Sequence, residues 1–396
     1  MMASLDELKY EVSEEIDRIR NKMIELSDKI HANPELSFKE FKASKWLTSE
    51  LEENGFIVQL GIADLKTAFK ATWCAMGEKP TICFMVEYDA LPDIGHACGH
   101  HMSGVASVTA AIALSKVMKR HGLGGRVIAL GTPGEELYAG KVHLIKVGAF
   151  NGVDVAMMVH ASDRNVLRCR LLALDALQFN FKGKPAHAAA APYMGINALN
   201  AVLLTFHAID ALRQHVRSDV RIHGIITEGG KAPNIVPEKA SARFYIRATE
   251  RWYLNEVTEK VKNCAKGAAL ATGASLEITN FEPSLDDMIN NPTLCEVFRK
   301  NWKRFTTDII DEKEPLGSSD VGNVSHVVPT IQPEISIAPE GTVPHTREFA
   351  EAGISEKAHQ ALVVAAKSMA MTAIDILYTP ELLEKIKQDF ARTVRK

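Results

Sequence analysis

The sequence predicts an α/β fold in two domains: a larger one on a mostly parallel sheet, split in the chain by an inserted ferredoxin-like α+β domain. Three observations carry this. Strand-like and helical runs alternate over roughly the first 170 residues, the order expected of a largely parallel sheet covered by helices. Six runs in the order βαββαβ then fill roughly 110 residues. After Glu282-Pro283 a helix, a strand and a long helix resume the first pattern. The boundaries are read as 1–171, 172–283 and 284–396, and 396 residues suffice for two cores of ordinary size.

Taken in order, Leu5, Leu8, Val12, Ile16, Ile19, Met23 and Leu26 recur at helical spacing and predict a helix over 5–32, closed by Asn33-Pro34. Ser37 and Glu40 have the spacing of a capping box opening a second helix, which Gly55 ends. Strands follow at 67–74, 81–87, 126–131 and 153–159, interleaved with helices near 103–120 and 140–148. In the insertion, Leu172 to Phe181 alternates like a strand, 195–217 is helical, 221–227 and 240–248 are strands, 250–271 is helical and 275–281 is the last strand. The resumed domain reads as a helix at 292–304, a Gly- and Ser-rich loop at 317–325, a strand at 331–337 and a helix at 355–377.

With 46 Lys plus Arg against 49 Asp plus Glu, the net charge of -3 lacks the basic excess that binds a phosphate backbone, so no nucleic-acid partner is expected. Six scattered cysteines without a CxxC pair suit reduced thiols. The N-terminus lacks the apolar core of a secretory signal, and no apolar run reaches the ~18 residues that span a bilayer. The expectation is a cytoplasmic protein without a membrane partner.

The chemistry concentrates in four places. Gly95-His96-Ala97-Cys98-Gly99-His100-His101 sets a thiol beside several imidazoles, directly after a strand ending Glu87-Tyr88-Asp89-Ala90-Leu91-Pro92. In extended backbone Cys98 and His100 project to one side and suit one metal ion; standing alone, such residues are also ordinary as a buried thiol beside surface histidines. Glu135-Glu136 follows a strand and the turn Gly131-Thr132-Pro133-Gly134; such a pair more often opens a solvated helix. His160 ends the apolar run Val155 to Val159, where a satisfied core histidine is the plainer reading. His345 sits in the loop Gly341-Thr342-Val343-Pro344-His345-Thr346, where a surface turn is the plainer reading. Jointly, Cys98, His100, Glu136, His160 and His345 fall at strand ends of one sheet and provide five ligands, enough for two divalent ions. Glu135 is left over as a general base. Zinc suits the Cys and His donors, with manganese, cobalt or nickel open by ligand type.

These residues resemble the dinuclear metallopeptidase family of aminoacylase and glutamate carboxypeptidase, closest to its p-aminobenzoyl-glutamate hydrolase and β-alanyl-lysine dipeptidase branch. The similarity spans nearly the whole chain. The resemblance implies that Glu135 is the base, that the five residues are ligands, that Asp89 steers a ligand from behind, and that the insertion is a lid mediating homodimerisation. It also implies that His187, in Gly183-Lys184-Pro185-Ala186-His187, stabilises the oxyanion in the partner's active site, and that Asn234 and Arg247 hold the substrate carboxylate. At the place after Cys-Gly-His, where the auxin-conjugate and hippurate enzymes usually carry Asp and the nearer branch Asn, this chain has His101, which is able to donate, ligate or shield. The loop 317–325 resembles the nearer branch.

The expected protein is a metal-dependent amidohydrolase that cleaves N-acyl amino acids or dipeptides bearing a free terminal carboxylate. Other readings are a dipeptidase or carboxypeptidase of the same family with a different substrate, a hydrolase with Cys98 as nucleophile and His100 or His160 as base, and a non-catalytic metal-binding scaffold.

Overall fold

The computed structural model describes residues 3–75, 77, 79–314 and 317–394. Contacts divide the chain into two compact units, one of Met1–Arg170, Met288–Pro315 and Ser319–Lys396, the other of Leu171–Asp287 and Leu316–Ser318. The second unit runs on to Asp287 rather than ending at Pro283, because Leu285 bridges to Leu174 and Arg251 holds Asp286 and Asp287.

In the first unit a six-stranded sheet runs in the order Ile57–Leu60, Phe69–Cys74, Arg126–Gly131, Thr81–Val86, Val155–Met157, Thr330–Ile331. The two outermost pairings on the Ile57 side are antiparallel and the other three parallel. Thr81–Val86 is buried at every position, as a central parallel strand under helices must be. Helices Leu5–His31, His100–His121 and Glu356–Tyr378 pack against one another, with Val12, Ile16, Val105, Ile112, Ala366 and Ala370 in the shared core, and His100–His121 lies on this sheet. Helix Glu356–Tyr378 is long and apolar enough to cross a membrane, but it is interrupted by Lys367 and Asp375 and most of it is buried, so its apolar surface belongs to the core.

Some local readings need correction. The capping box of this unit is Ser4 with Glu7 at the first helix. Ser37 and Glu40 form none: helix Phe41–Glu53 starts without a side-chain cap, Ser37 bonds Asp89, and buried Glu40 accepts from Thr67. The run 153–159 shortens to Val155–Met157, with a separate strand beginning at His160, and the run 331–337 breaks in two. Pro333 has no N–H for a ladder, so Thr330–Ile331 stays in the large sheet, while Glu334–Ser336 joins a four-stranded sheet ordered Ile310–Glu312, Val166–Arg168, Glu334–Ser336, His160–Ser162. Part of the loop 317–325 is the short helix Val321–Ser325. The helix Pro380–Val394 is absent from the sequence reading although its signal is present: Leu382, Leu383, Ile386, Phe390 and Val394 recur at helical spacing behind a proline at the first position, with Ile386 fully buried.

The second unit has strand order Ser275–Asn280, Ala173–Lys182, Lys239–Ala248, Arg221–Glu228, antiparallel throughout, with helices Ala198–Leu212 and Arg251–Thr272. Phe179, Phe181, Phe244 and Ile246 alternate inward from the sheet and meet Val202, Leu254 and Val257 from the helices. The first of these helices starts at Ala198 rather than 195, because Ile196 is bridged to Lys184 and Asn197 caps the helix through Asn200 N–H.

Candidate metal centre

The loop after Pro92 delivers Cys98 and His100 to the start of helix His100–His121. The expected extended backbone is absent there. Gly99 adopts φ 77°, and a Cβ on it would lie 2.4 Å from that of Ala161, so only glycine can make this turn while packed so closely. The turn, rather than strand alternation, brings the thiol and imidazole together. Glu135 and Glu136 open the helical turn Glu135–Tyr138. His160 begins a strand of the smaller sheet, and His345 follows that sheet in a loop with φ 65°, its N–H bonded to Ala97 O at 2.9 Å. The donors thus come from the edges of two sheets rather than one.

Three groups result, each with its donor atoms mutually within 4.8 Å: Cys98, His100 and His160; Cys98, Glu136 and His345; and His100, Glu135 and Glu136. The first two share the Cys98 sulfur, an arrangement for two neighbouring ions. Donors on one tetrahedral zinc, with bonds of about 2.0–2.3 Å, stand about 3.4–3.6 Å apart. Cys98 Sγ to His160 Nε2 and Glu136 Oε2 to His345 Nε2 are each 3.5 Å, so one donor pair in each triad already stands at the spacing of ligands on a single ion. His100 Nε2 and Glu136 Oε1 are buried with no hydrogen-bond partner, atoms in need of a positive charge.

Tautomers suit the same purpose. His100 Nδ1 donates to Asp89 Oδ1 at 3.0 Å and His160 Nδ1 to Ala161 O at 2.7 Å, which leaves both Nε2 lone pairs toward the centre. Asp89 Oδ2 accepts from Ser37 Oγ at 2.9 Å and from Glu136 N–H at 3.0 Å, so one carboxylate orients two donor residues. Burial opposes its ionisation, but His100 and these bonds bring Asp89 down to about 2. Burial likewise opposes a charged His100, yet the flanking Glu87 and Asp89 raise its imidazole well above the usual value. A bound cation replaces that proton.

Glu135 is half-buried, and desolvation together with the neighbouring Glu136, Asp320 and Glu87 pushes its carboxyl well above the ordinary range. Behind it lies a group that carried no role in the sequence reading: Lys141 Nζ, fully buried, donates to Glu87 Oε1 at 2.5 Å and Asp320 Oδ1 at 2.6 Å. The visible signal was a carboxylate ending the apolar run Thr81 to Val86.

His101 is in none of the three groups. The helix turns it away to donate from Nε2 to Gly353 O at 3.0 Å, in a cluster with His31 and His96 whose ring centroids lie 4.8 and 5.1 Å from its own. Burial is the main reason that His96 is lowered to about 3. Because the unfolded chain binds this proton near 6.5 and the folded chain only near 3, stability is lost as pH falls between those values. In metal-free protein, the urea midpoint is therefore expected to drop steadily from pH 6.5 downward, and His96→Phe is expected to flatten the drop; an unchanged slope in the variant refutes this source of acid lability.

In the second unit the structure sets His187 and Asn234 on adjoining segments, joined by Ala188 N–H to Asn234 O at 3.0 Å and Val236 N–H to Ala186 O at 3.0 Å. His187 is exposed and its Nδ1 accepts from Ala190 N–H at 3.1 Å. Arg247 lies on the strand Lys239–Ala248, opposite Leu174 and Arg221, with its guanidinium 5.8 Å from the Tyr245 ring centre and its Nε buried without a partner.

The family pattern described as peptidase dimerisation domain matches residues 174–272. The Xaa-Arg dipeptidase of Mus musculus is 37% identical over 98% of this chain and 93% of its own length. A p-aminobenzoyl-glutamate hydrolase chain of Escherichia coli is 29% identical over 96% and 94% respectively. Among solved structures, a Bacillus subtilis dinuclear metal binding peptidase of the M20 family superposes with a TM-score of 0.69 at 22% identity, covering 92% of this chain and 99% of that one.

Proposed function

Because the chain belongs to the M20 family of metallopeptidases, hydrolases of amide bonds that depend on divalent metal, we propose that it cleaves dipeptides or N-acyl amino acids with a free terminal carboxylate. The observation that carries this reading is the pair of donor triads sharing Cys98, with Glu135 beside them and needed by neither. Cys98, His100 and His160 would hold one ion, and Cys98, Glu136 and His345 the other; zinc or manganese is the proposed metal. Bound there, two cations supply Lewis acidity to the scissile carbonyl and acidify the attacking water. Glu135 takes the water proton and returns it to the leaving amine. Asp89 keeps His100 and Glu136 aimed, and their fixed tautomer and bond leave no reorganisation for the reaction.

The unit Leu171–Asp287 is proposed to form the homodimer contact and to supply His187 for the oxyanion, with Asn234 and Arg247 anchoring the substrate carboxylate. The unpartnered buried Nε of Arg247 supports an anion-binding role. Since the mouse and human relatives are Xaa-Arg dipeptidases, dipeptides ending in Arg or Lys are the first substrates to try, followed by p-aminobenzoyl-glutamate and N-acyl amino acids. The test is amine release from each substrate by zinc- or manganese-loaded protein, free acid against C-terminal amide. Loss of one charge-assisted contact costs about 1.5–3 kcal/mol, or roughly 10- to 150-fold. Amides are expected to fall by that factor in kcat/KM, and Arg247→Ala to raise KM for free acids comparably. Equal hydrolysis of acid and amide removes the anchoring role, and no hydrolysis across the panel removes the proposed substrate class.

A further inference from the structure

Two carboxylates and one ammonium are sealed behind the candidate centre. Lys141 is 0% exposed, Glu87 and Asp320 are each 1% exposed, and the Lys141 main-chain N–H also donates to Asp320 Oδ2 at 2.8 Å. Asp320 thus has both oxygens satisfied, one by the ammonium and one by the backbone. Glu87 does not. Its Oε1 takes the Lys141 ammonium, while Oε2 has no hydrogen-bond donor and lies 3.5 Å from His100 Nε2, itself without a hydrogen-bond partner.

Lys141 balances one carboxylate of the two. The other faces His100 Nε2 at 3.5 Å, so when a cation takes the place of the imidazole proton, that cation becomes the partner of the Glu87 charge. Glu87 Oε2 faces the imidazole nitrogen that would bind a cation, yet Glu87 is in none of the three donor groups. Its place is therefore next to an ion rather than on it. A structural ion pair would need only one of the two acids, and the free oxygen would be directed at a donor of the fold.

We propose that Glu87, clamped by Lys141, is a non-ligating counter-charge for the cation held by His100, and that this pair sets how tightly that one ion is kept. This rests on the metal centre proposed above. Lys141 is the positioning residue: with its ammonium fixed between two acids, Glu87 cannot swing onto the ion as a further ligand or away from it. Removing a partner that orients or charges a metal site from behind the ligands typically weakens metal binding 10- to 100-fold.

The experiment is zinc titration of metal-free protein against a chelating dye, for wild type, Glu87→Gln and Glu87→Asp, with melting temperatures recorded with and without zinc. Glu87→Gln keeps the acceptor for Lys141 and leaves a neutral Lys141 and Asp320 pair. The expected result is a tenfold or greater weakening of one of the two zinc ions in Glu87→Gln with the other unchanged, a smaller zinc-induced rise in melting temperature, and partial recovery of affinity in Glu87→Asp. Wild-type affinity for both ions in Glu87→Gln overturns the proposal. Equal loss of both ions overturns it too, as does a variant that stays unfolded in excess zinc, because either outcome gives Glu87 a general structural role. If wild-type protein itself takes up no zinc, the metal centre fails instead.

Discussion

Replacing Glu135 by Gln is expected to lower turnover by about 10²- to 10⁴-fold, the usual contribution of a positioned general base, while zinc content stays at the wild-type level. The two triads around Cys98 are complete without Glu135, so its loss leaves every proposed ligand in place. Gln has nearly the same shape and cannot accept the proton. Burial first, then Glu136, Asp320 and Glu87, push the Glu135 carboxyl well above the ordinary range when no cation is near. Bound cations would work against those neighbours and favour the carboxylate that catalysis needs. The sign of the pH dependence follows: the acid limb of kcat/KM is expected to move to lower pH as metal occupancy rises, because the cation opposes the neighbours that raise Glu135. Steady-state amine release and metal analysis on the same preparations check both parts. Turnover within a few fold of wild type at full zinc occupancy sinks the assignment.

What could be read from the sequence, and what could not, divides along local and non-local lines. Helix periods, the βαββαβ order and the Cys-Gly-His cluster are local signals, and each is expressed where local physics decides: Phe179, Phe181, Phe244 and Ile246 do alternate inward. The role of Ser37 could not be read, because its spacing to Glu40 looks like a cap and only the fold brings it to Asp89, 52 residues away. Lys141, Glu87 and Asp320 are invisible for the same reason, since Asp320 lies 179 positions from Lys141. His101 misleads in the opposite direction: it adjoins His100 in sequence, but one step along a helix turns a side chain by about 100°, enough to take it from the donor groups into the His31 and His96 cluster. Gly99 was legible as a bend, although its close approach to Ala161 was not.

Metal removal is the other large effect. Dialysis against a chelator is expected to bring amide hydrolysis down to background, and added zinc or manganese to restore it, whereas iodoacetamide is expected to leave the loaded protein active. The competing reading makes Cys98 a nucleophile with His100 or His160 as its base, for which the surroundings must favour the thiolate near neutral pH. The surroundings of Cys98 oppose that. Burial and the nearby Glu136 carboxylate raise its thiol well above the free value, outweighing His100, which pulls the other way. An anionic enclosure that suppresses a free thiolate favours a cation, and a cation in turn takes the thiol proton off outright. Binding therefore releases protons, and zinc affinity is expected to fall as pH is lowered. Stability follows occupancy: an ion present at 1,000 times its Kd adds about 4 kcal/mol that a chelator takes away, which a melting curve with and without zinc reads directly. Full activity in excess chelator together with complete loss on alkylation would return the chemistry to the thiol and leave the two triads without a catalytic purpose.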